Sequence, residues 1–339
     1  MSTFSSSLVI PVFLPHQGCP HQCLFCNQNS ITGQGTARIS NEEIENTVNS
    51  WLAAARPRDR VQLAFYGGSF TCLPIDRQEH LFNMVRPYLK SGEIQSIRLS
   101  TRPDCLDAEI CTFLRDMGVA TVELGVQSLD DAVLERSRRG HSGKDCERAV
   151  AYLKEAAIEV GIQLMPGLPG EGTVSFLRGV RRVIGLSPSF VRLYPVLVVT
   201  NSALAEIYRL GQYRPLSLNK AVAMTRRAKG MFLSAGIRVI RIGLQPSPSL
   251  ERELVAGPYH PAFGELVAAR DWLRRTRALF AEIPAGSTLT VCISPRDLSA
   301  FIGPKRANME RLAGLGLAER LVIRTDNDMK RGSLNYVVG

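Results

Sequence analysis

No stretch of the 339-residue sequence approaches the roughly 18 uninterrupted apolar residues of a membrane-spanning helix, so no membrane span is expected. Its opening, MSTFSSSLVIPVFLPH, has no basic start ahead of its short apolar run. That argues against a signal peptide and for an unstructured lead-in followed by a first strand. Cysteine is sparse for the length, at Cys19, Cys23, Cys26, Cys72, Cys105, Cys111, Cys146 and Cys292. Disulfide scaffolds are short and cysteine-dense, so a reducing cytoplasm is expected, with the five scattered cysteines serving as buried apolar fillers. The chain also lacks low-complexity tracts, repeats beyond a strand–helix alternation, and a second cysteine pair to complete a zinc knuckle.

Positive charge is in excess. Lys and Arg number 41 against 31 Asp and Glu, a formal net charge of +10. Such a balance suits a polyanionic partner such as RNA, through phosphate neutralisation; a basic surface kept for solubility is the alternative. With 45% hydrophobic residues, the chain can bury the core of one large α/β domain and a small appendage.

From residue 8 to about residue 243, short β-rich runs alternate with amphipathic helical stretches. The runs are LVIPVFL, VQLAFYG, IQSIRLS, VATVELGV, GIQLMPG, VRLYPVLVV and IRVIRIGL. Ser40 with Glu43 three residues on is a capping box, and Asp107 opens a helix that Gly118 closes. A third helix follows Ser142, with Val150, Leu153, Ala157 and Val160 on one face. Alternation of this kind predicts an α/β fold, a partial (β/α)6-type barrel of parallel strands, with working residues at the C-terminal strand ends. At 245–265 proline and glycine accumulate and the alternation lapses. The expected division is therefore a core over 1–245 and a junction with a small α+β domain over 246–339. The latter reads as an Arg-rich helix, strand STLTVCISP, helix KRANMERLAGLG and strand LAERLVIRT.

Cys19, Cys23 and Cys26 are separated by three and then two residues. Such a loop can set thiolates around three corners of a 4Fe–4S cube and leave one iron without a protein ligand. An open coordination position is what catalysis at a metal requires. The alternative is zinc with a fourth ligand from His16 or His21.

Cys-x3-Cys-x2-Cys, with Phe25 before its last cysteine and a strand before the loop, resembles the radical S-adenosylmethionine superfamily. The resemblance implies that the free iron chelates S-adenosylmethionine, whose reductive cleavage yields a 5′-deoxyadenosyl radical. It also implies an electron donor of flavodoxin or ferredoxin type. YGGSF after the second strand resembles the glycine-rich motif that binds the methionine amino group, so Gly67, Gly68 and Ser69 take that role, and Phe25 shields cluster and cofactor.

Further stretches, STRPD (100–104), VELGVQS (122–128), RRGHS (138–142), MPGLPG (165–170) and VRLYPVLVV (191–199), are similar in order to the radical domain of the Elongator catalytic subunit, which acts on wobble uridine of tRNA. The radical enzymes of oxygen-independent haem synthesis share a coarser version of this layout. By that analogy Gln127, Arg139 and Gln163 contact S-adenosylmethionine, Ser100 lies near its ribose, and Arg139 pairs with its carboxylate. Arg192 stands where the Elongator family has a lysine, and it is expected on the opposite face from Tyr194. Arg102 and Asp104 either form a local salt bridge or meet substrate.

The likeness stops near residue 265. No Gln/Arg-x-x-Gly-x-Gly/Ala stretch lies beyond it, so acetyl transfer is not expected of the remaining segment. FIGPKRANM (301–309) is similar to the Ile-Gly-x-x-Gly loop of KH domains, except that Arg306 stands at the second glycine; an ordinary turn is the default there. Trp272 and its neighbouring arginines either grip nucleic acid or pack on the barrel. The expected function is a cytoplasmic radical enzyme modifying RNA, with tRNA as the preferred substrate class. Radical oxidation of a small molecule such as a porphyrinogen, or RNA binding without turnover, are the alternatives.

Overall fold

The computed structural model describes residues 7–14, 17–27, 39–54, 58 and 60–339. The expected lead-in over 1–6 and His16 lie outside them. Seven parallel strands form one curled sheet in chain order: β1 (Ser7–Phe13), β2 (Arg60–Tyr66), β3 (Ser96–Thr101), β4 (Val119–Gln127), β5 (Glu159–Leu164), β6 (Phe190–Leu193) and β8 (Arg238–Ile242). All seven expected runs are present.

Helices α1 (Asn41–Ala54), α2 (Ile75–Ser91), α3 (Ala108–Asp116), α4 (Asp131–Arg136), α5 (Gly143–Glu155), α6 (Thr173–Gly185), α7 (Ala203–Arg209) and α8 (Leu218–Ser234) connect them. Capping sets several starts. Ser40 and Glu43 bond each other's backbone N–H at α1, the Asp107 carboxylate accepts the Ile110 N–H at α3, and Ser142 with Asp145 form a second box at α5. Helix α5 is shorter than its sequence suggests. It ends at Glu155, Ala157 turns left-handed (φ 58), and Val160 already belongs to β5.

Alternation along each strand separates two faces. Leu63, Phe65, Ile97, Leu99, Val122, Leu124, Val160 and Ile162 enter the main core with residues of α1, α2, α3, α5, α6 and α8. Cys111 and Cys146 fill this core as expected, and burial pushes both thiols up to about 12, so they stay protonated. Cys72 and Cys105 overturn the filler expectation: they form a disulfide with Cα atoms 5.4 Å apart. Cys72 follows β2 and Cys105 follows β3, and adjacency of those strands brings together residues 33 apart in sequence.

The run VRLYPVLVV is two strands. Pro195 cannot donate to a ladder, and the chain resumes as β7 (Val198–Val199), which pairs antiparallel with β9 (Leu254–Ala256) after a short α9 (Pro248–Glu253). Structure thus continues through the expected junction.

Helix α10 (Phe263–Glu282) belongs to two cores. Phe263 and Val267 pack with Ala221 and Val222 of α8, whereas Trp272 and Phe280 pack with β10 (Leu289–Ile293) and Phe301. Trp272 is buried, its ring 5.5 Å from that of Phe301, with the Arg275 guanidinium over the ring at 4.4 Å. It therefore supports the small sheet, neither stacking a base nor packing on the barrel. That sheet runs β11 (Leu321–Thr325), β10, β12 (Leu334–Val338), and carries α11 (Leu298–Ile302) and α12 (Ala307–Ala313) on one face. Strand β12 and helix α11 were not foreseen in the sequence.

Candidate active site

The face of the curled sheet opposite the helices is polar. Tyr66 donates to Glu123 Oε1 at 2.8 Å, Arg98 Nη1 donates to the same oxygen at 2.8 Å, and Arg192 Nε lies 2.7 Å from Oε2. Arg192 also reaches the hydroxyls of Tyr66 (3.1 Å) and Tyr194 (3.2 Å). Burial and the Glu123 carboxylate push the Tyr66 hydroxyl up to about 12, so it remains a donor. Arg192 and Tyr194 thus share a face, against expectation; residues two apart in a strand point the same way. Tyr66, Arg98 and Glu123 were missed in the sequence. Their signal was polar residues at alternate positions of β2, β3 and β4, and nothing local shows that those positions meet.

Toward the C-terminal strand ends lie the anticipated residues. Ser100 is on β3. Gln163 on β5 donates to Gln127 Oε1 at 3.0 Å, and Gln127 ends β4 in a left-handed conformation (φ 66). Arg139, buried on the loop after α4, donates through Nη1 to Cys23 Sγ at 3.2 Å and through Nη2 to the Gly125 carbonyl. Glycine at 125 leaves room for that guanidinium, because a Cβ would press on Arg139 Nη2 and displace it.

The cysteine loop follows β1 and is tied down from several directions. The Leu24 N–H donates to Ser137 O (3.1 Å), Leu204 N–H to Leu24 O (2.7 Å), and Cys26 N–H to Cys23 O (3.1 Å). Cys23 is buried and Cys19 and Cys26 are partly so. Burial, with Cys23 adding to it, pushes the Cys19 thiol up, against the pull of Arg139 and Arg102. Phe25 is buried among Leu168, Val196 and Leu204. The His21 ring lies against Gly140, where any Cβ would collide with it. Among the described residues no three His, Cys, Asp or Glu side chains converge on one metal-ion position.

Gly67 (φ 91) makes the turn after β2, and Gly68 sits where a Cβ would strike the carbonyl oxygens of Gln17 and Leu14. Ser69 is occupied with the fold: its N–H donates to Gln17 O (2.9 Å), and its hydroxyl accepts the Arg102 N–H (3.1 Å) beside Thr101 Oγ1. Arg102 forks onto Asp104 at 3.0 and 2.9 Å, the local pair that was one of its two expected roles, and donates to Arg139 O. His141 lies 3.7 Å from Asp104 and 3.3 Å from Val126 O, and burial with Arg139 beside it drives its imidazole down to about 3. Glu171, also unforeseen, closes the loop after β5. It accepts the Gly167 N–H (2.9 Å) and Ser128 hydroxyl (3.3 Å), while burial pushes its carboxyl up to about 8.

These residues fit an iron–sulfur cluster with an anionic partner. The donors are sulfurs, the soft ligands iron–sulfur clusters take. Two buried arginines adjoin the loop, and Arg139 Nε and Arg102 Nη1 have no hydrogen-bond partner among the described residues. An unsatisfied buried guanidinium nitrogen calls for an acceptor.

Residues 13–178 match the Radical SAM superfamily, and residues 188–275 match the Radical_SAM C-terminal domain. A tRNA uridine(34) acetyltransferase of Methanocaldococcus infernus is 26% identical over 281 residues, 71% of this chain and 52% of that protein. The protein of that name in Dehalococcoides mccartyi is 28% identical over 248 residues, 63% of this chain and 54% of its own. The chain thus spans about half the length of these curated relatives. The solved archaeal Methanocaldococcus infernus Elp3 with N-terminus deletion shares the fold with a TM-score of 0.65 and 22% identity, over 81% of this chain and 64% of that one. With both family regions matched in order along most of its length, this chain belongs to the radical SAM superfamily.

Proposed function

We propose that the chain is a radical S-adenosylmethionine enzyme that modifies tRNA. The observation that carries the enzymatic reading is the contact of Arg139 with Cys23, which sets an anion-seeking guanidinium beside the cysteine loop. The RNA reading draws on relatives named for tRNA uridine(34) and on the net charge of +10.

Cys19, Cys23 and Cys26 would hold a 4Fe–4S cluster. When bound, the cluster supplies one electron for cleavage of S-adenosylmethionine to a 5′-deoxyadenosyl radical. The chain's own residues bind and exclude. Arg139 offers its Nε–H to the methionine carboxylate, while its two terminal nitrogens hold the guanidinium against Cys23 and Gly125. Gly67 and Gly68 allow close backbone approach, and Ser69 fixes that turn. Ser100, Gln127, Gln163 and Arg192 line the polar face, while Phe25 keeps water from the loop. Glu123 holds Arg98 and Arg192 in place beneath them. The core would occupy 1–245 and a C-terminal domain 246–339, working in the cytoplasm with a flavodoxin- or ferredoxin-like reductant.

Anaerobically reconstituted protein with dithionite should release 5′-deoxyadenosine, and its absence would end the enzymatic reading. Nucleoside mass spectrometry of tRNA from a deletion strain should reveal a lost modification; an unchanged nucleoside profile would remove tRNA as substrate.

A further inference from the structure

The C-terminal sheet carries a feature that the cysteine loop and polar face do not use. Between β10 and the parallel β11 the chain runs through α11, a four-residue turn Gly303-Pro304-Lys305-Arg306, and α12. Leu289, Val291 and Ile293 of β10 point at these helices and bury Phe301 and Leu312. Gly303 (φ 81) starts the turn, and a Cβ there would press on Asn308. Asn308 is buried and donates to Ala269 O (2.8 Å) and Phe301 O (2.9 Å), which fastens the turn to α10 and α11.

The second half of the turn has an unusual backbone. Lys305 (φ 52, ψ 31) and Arg306 (φ 63, ψ 19) are consecutive left-handed residues, and neither is glycine. Single side-chain-bearing residues in that region are uncommon, and strain of this sort gathers at binding sites. Both side chains are exposed, and among the described residues neither forms an ion pair with an acidic side chain. A rigid turn between two helices of a small sheet thus holds up two cations side by side. The surrounding residues 284–339 are also basic, with eight Lys and Arg against five Asp and Glu.

A strand–helix–turn–helix–strand unit with a basic turn is how KH domains clamp a run of nucleic-acid backbone. The sequence objection was Arg306 at the second glycine. The structure removes it, because Arg306 adopts the left-handed conformation that a glycine there would supply. We propose that the Gly303–Arg306 turn is an RNA-backbone site, separate from the cysteine loop, that grips a single-stranded segment of the substrate RNA. The identity of the ligand as RNA rests on the function proposed above; the position of the site does not.

The test is fluorescence anisotropy of the full chain with an unmodified tRNA transcript and with a 12-nucleotide single-stranded RNA, at several salt concentrations. The double variant Lys305→Glu/Arg306→Glu should weaken binding at least tenfold near 0.1 M salt. The salt slope should become shallower by about 1.4, for two lost phosphate contacts on a single strand. Arg306→Gly keeps the left-handed backbone and removes one charge. It should melt no lower than the parent and still lose affinity severalfold. Release of 5′-deoxyadenosine without RNA should be unchanged in both. If both variants bind RNA like the parent, with an unchanged salt slope, the turn is not the site while the RNA reading stands. If the parent itself fails to bind either RNA at low salt, both readings fall.

Discussion

Arg139 stands 3.2 Å from Cys23, although 116 residues separate them, and one guanidinium therefore joins the cysteine loop to the carbonyl of Gly125 on β4. This single side chain couples the part of the chain that would hold a cluster to the sheet that would hold its partner.

Replacing Arg139 by Lys keeps the charge and loses the fork. S-adenosylmethionine affinity should fall ten- to a hundredfold by calorimetry, with iron content of the reconstituted protein near normal. Parent-like affinity would remove Arg139 from the cofactor site.

Glu123 is the common partner of Arg98, Arg192 and Tyr66. Glu123→Ala leaves two largely buried guanidinium groups without their shared carboxylate, a loss of about 3 kcal/mol or more. Urea titration should show this as a lower midpoint. Glu123→Gln, which keeps acceptor oxygen but no charge, should fall between. A parent-like midpoint in Glu123→Ala would mean that the arginines are paired elsewhere.

His141 sets a pH dependence. Its folded pKa is about 3, below the ordinary 6.5, so the unfolded chain takes up a proton that the folded chain refuses. Stability is then intact above pH 6.5 and falls as pH drops toward 3. Denaturation midpoints should decline from about pH 7 to about pH 5, and His141→Asn should flatten part of that slope. An identical slope in the variant would show that other groups carry it.

The Cys72–Cys105 bond closes a loop between the ends of neighbouring strands. Its removal in Cys72→Ala/Cys105→Ala should cost about 3 to 4 kcal/mol under non-reducing conditions. With excess dithiothreitol, parent and variant should converge. Thiol titration of the unfolded parent should count six cysteines before reduction and eight after; eight from the start would dismiss the bond.

Much of this was legible in the chain because it is local. The spacing of Cys19, Cys23 and Cys26, the capping residues at Ser40 and Ser142, and the order of seven strands can each be read within a few residues. What could not be read depends on register. Ser100 pairs with Glu123, and Gln163 with Arg192, only after β3 to β6 align, so the Glu123 network has no linear signature. The Cys72–Cys105 pair was hidden for the same reason. Ser69 shows the converse: a residue singled out for binding proved to have its N–H and hydroxyl engaged within the fold. At Arg306 residue type alone gives no sign of the left-handed conformation (φ 63), which glycine adopts more readily.

Helix α10 contributes its first half to one core and its second half to another, over 20 residues or about 30 Å of continuous helix. The small sheet is thus mounted on a shaft instead of hung from a tether. An RNA held at Lys305 would be offered to the cysteine loop at a set reach, so the enzyme would select substrates by their dimensions as a gauge does, before any base is read.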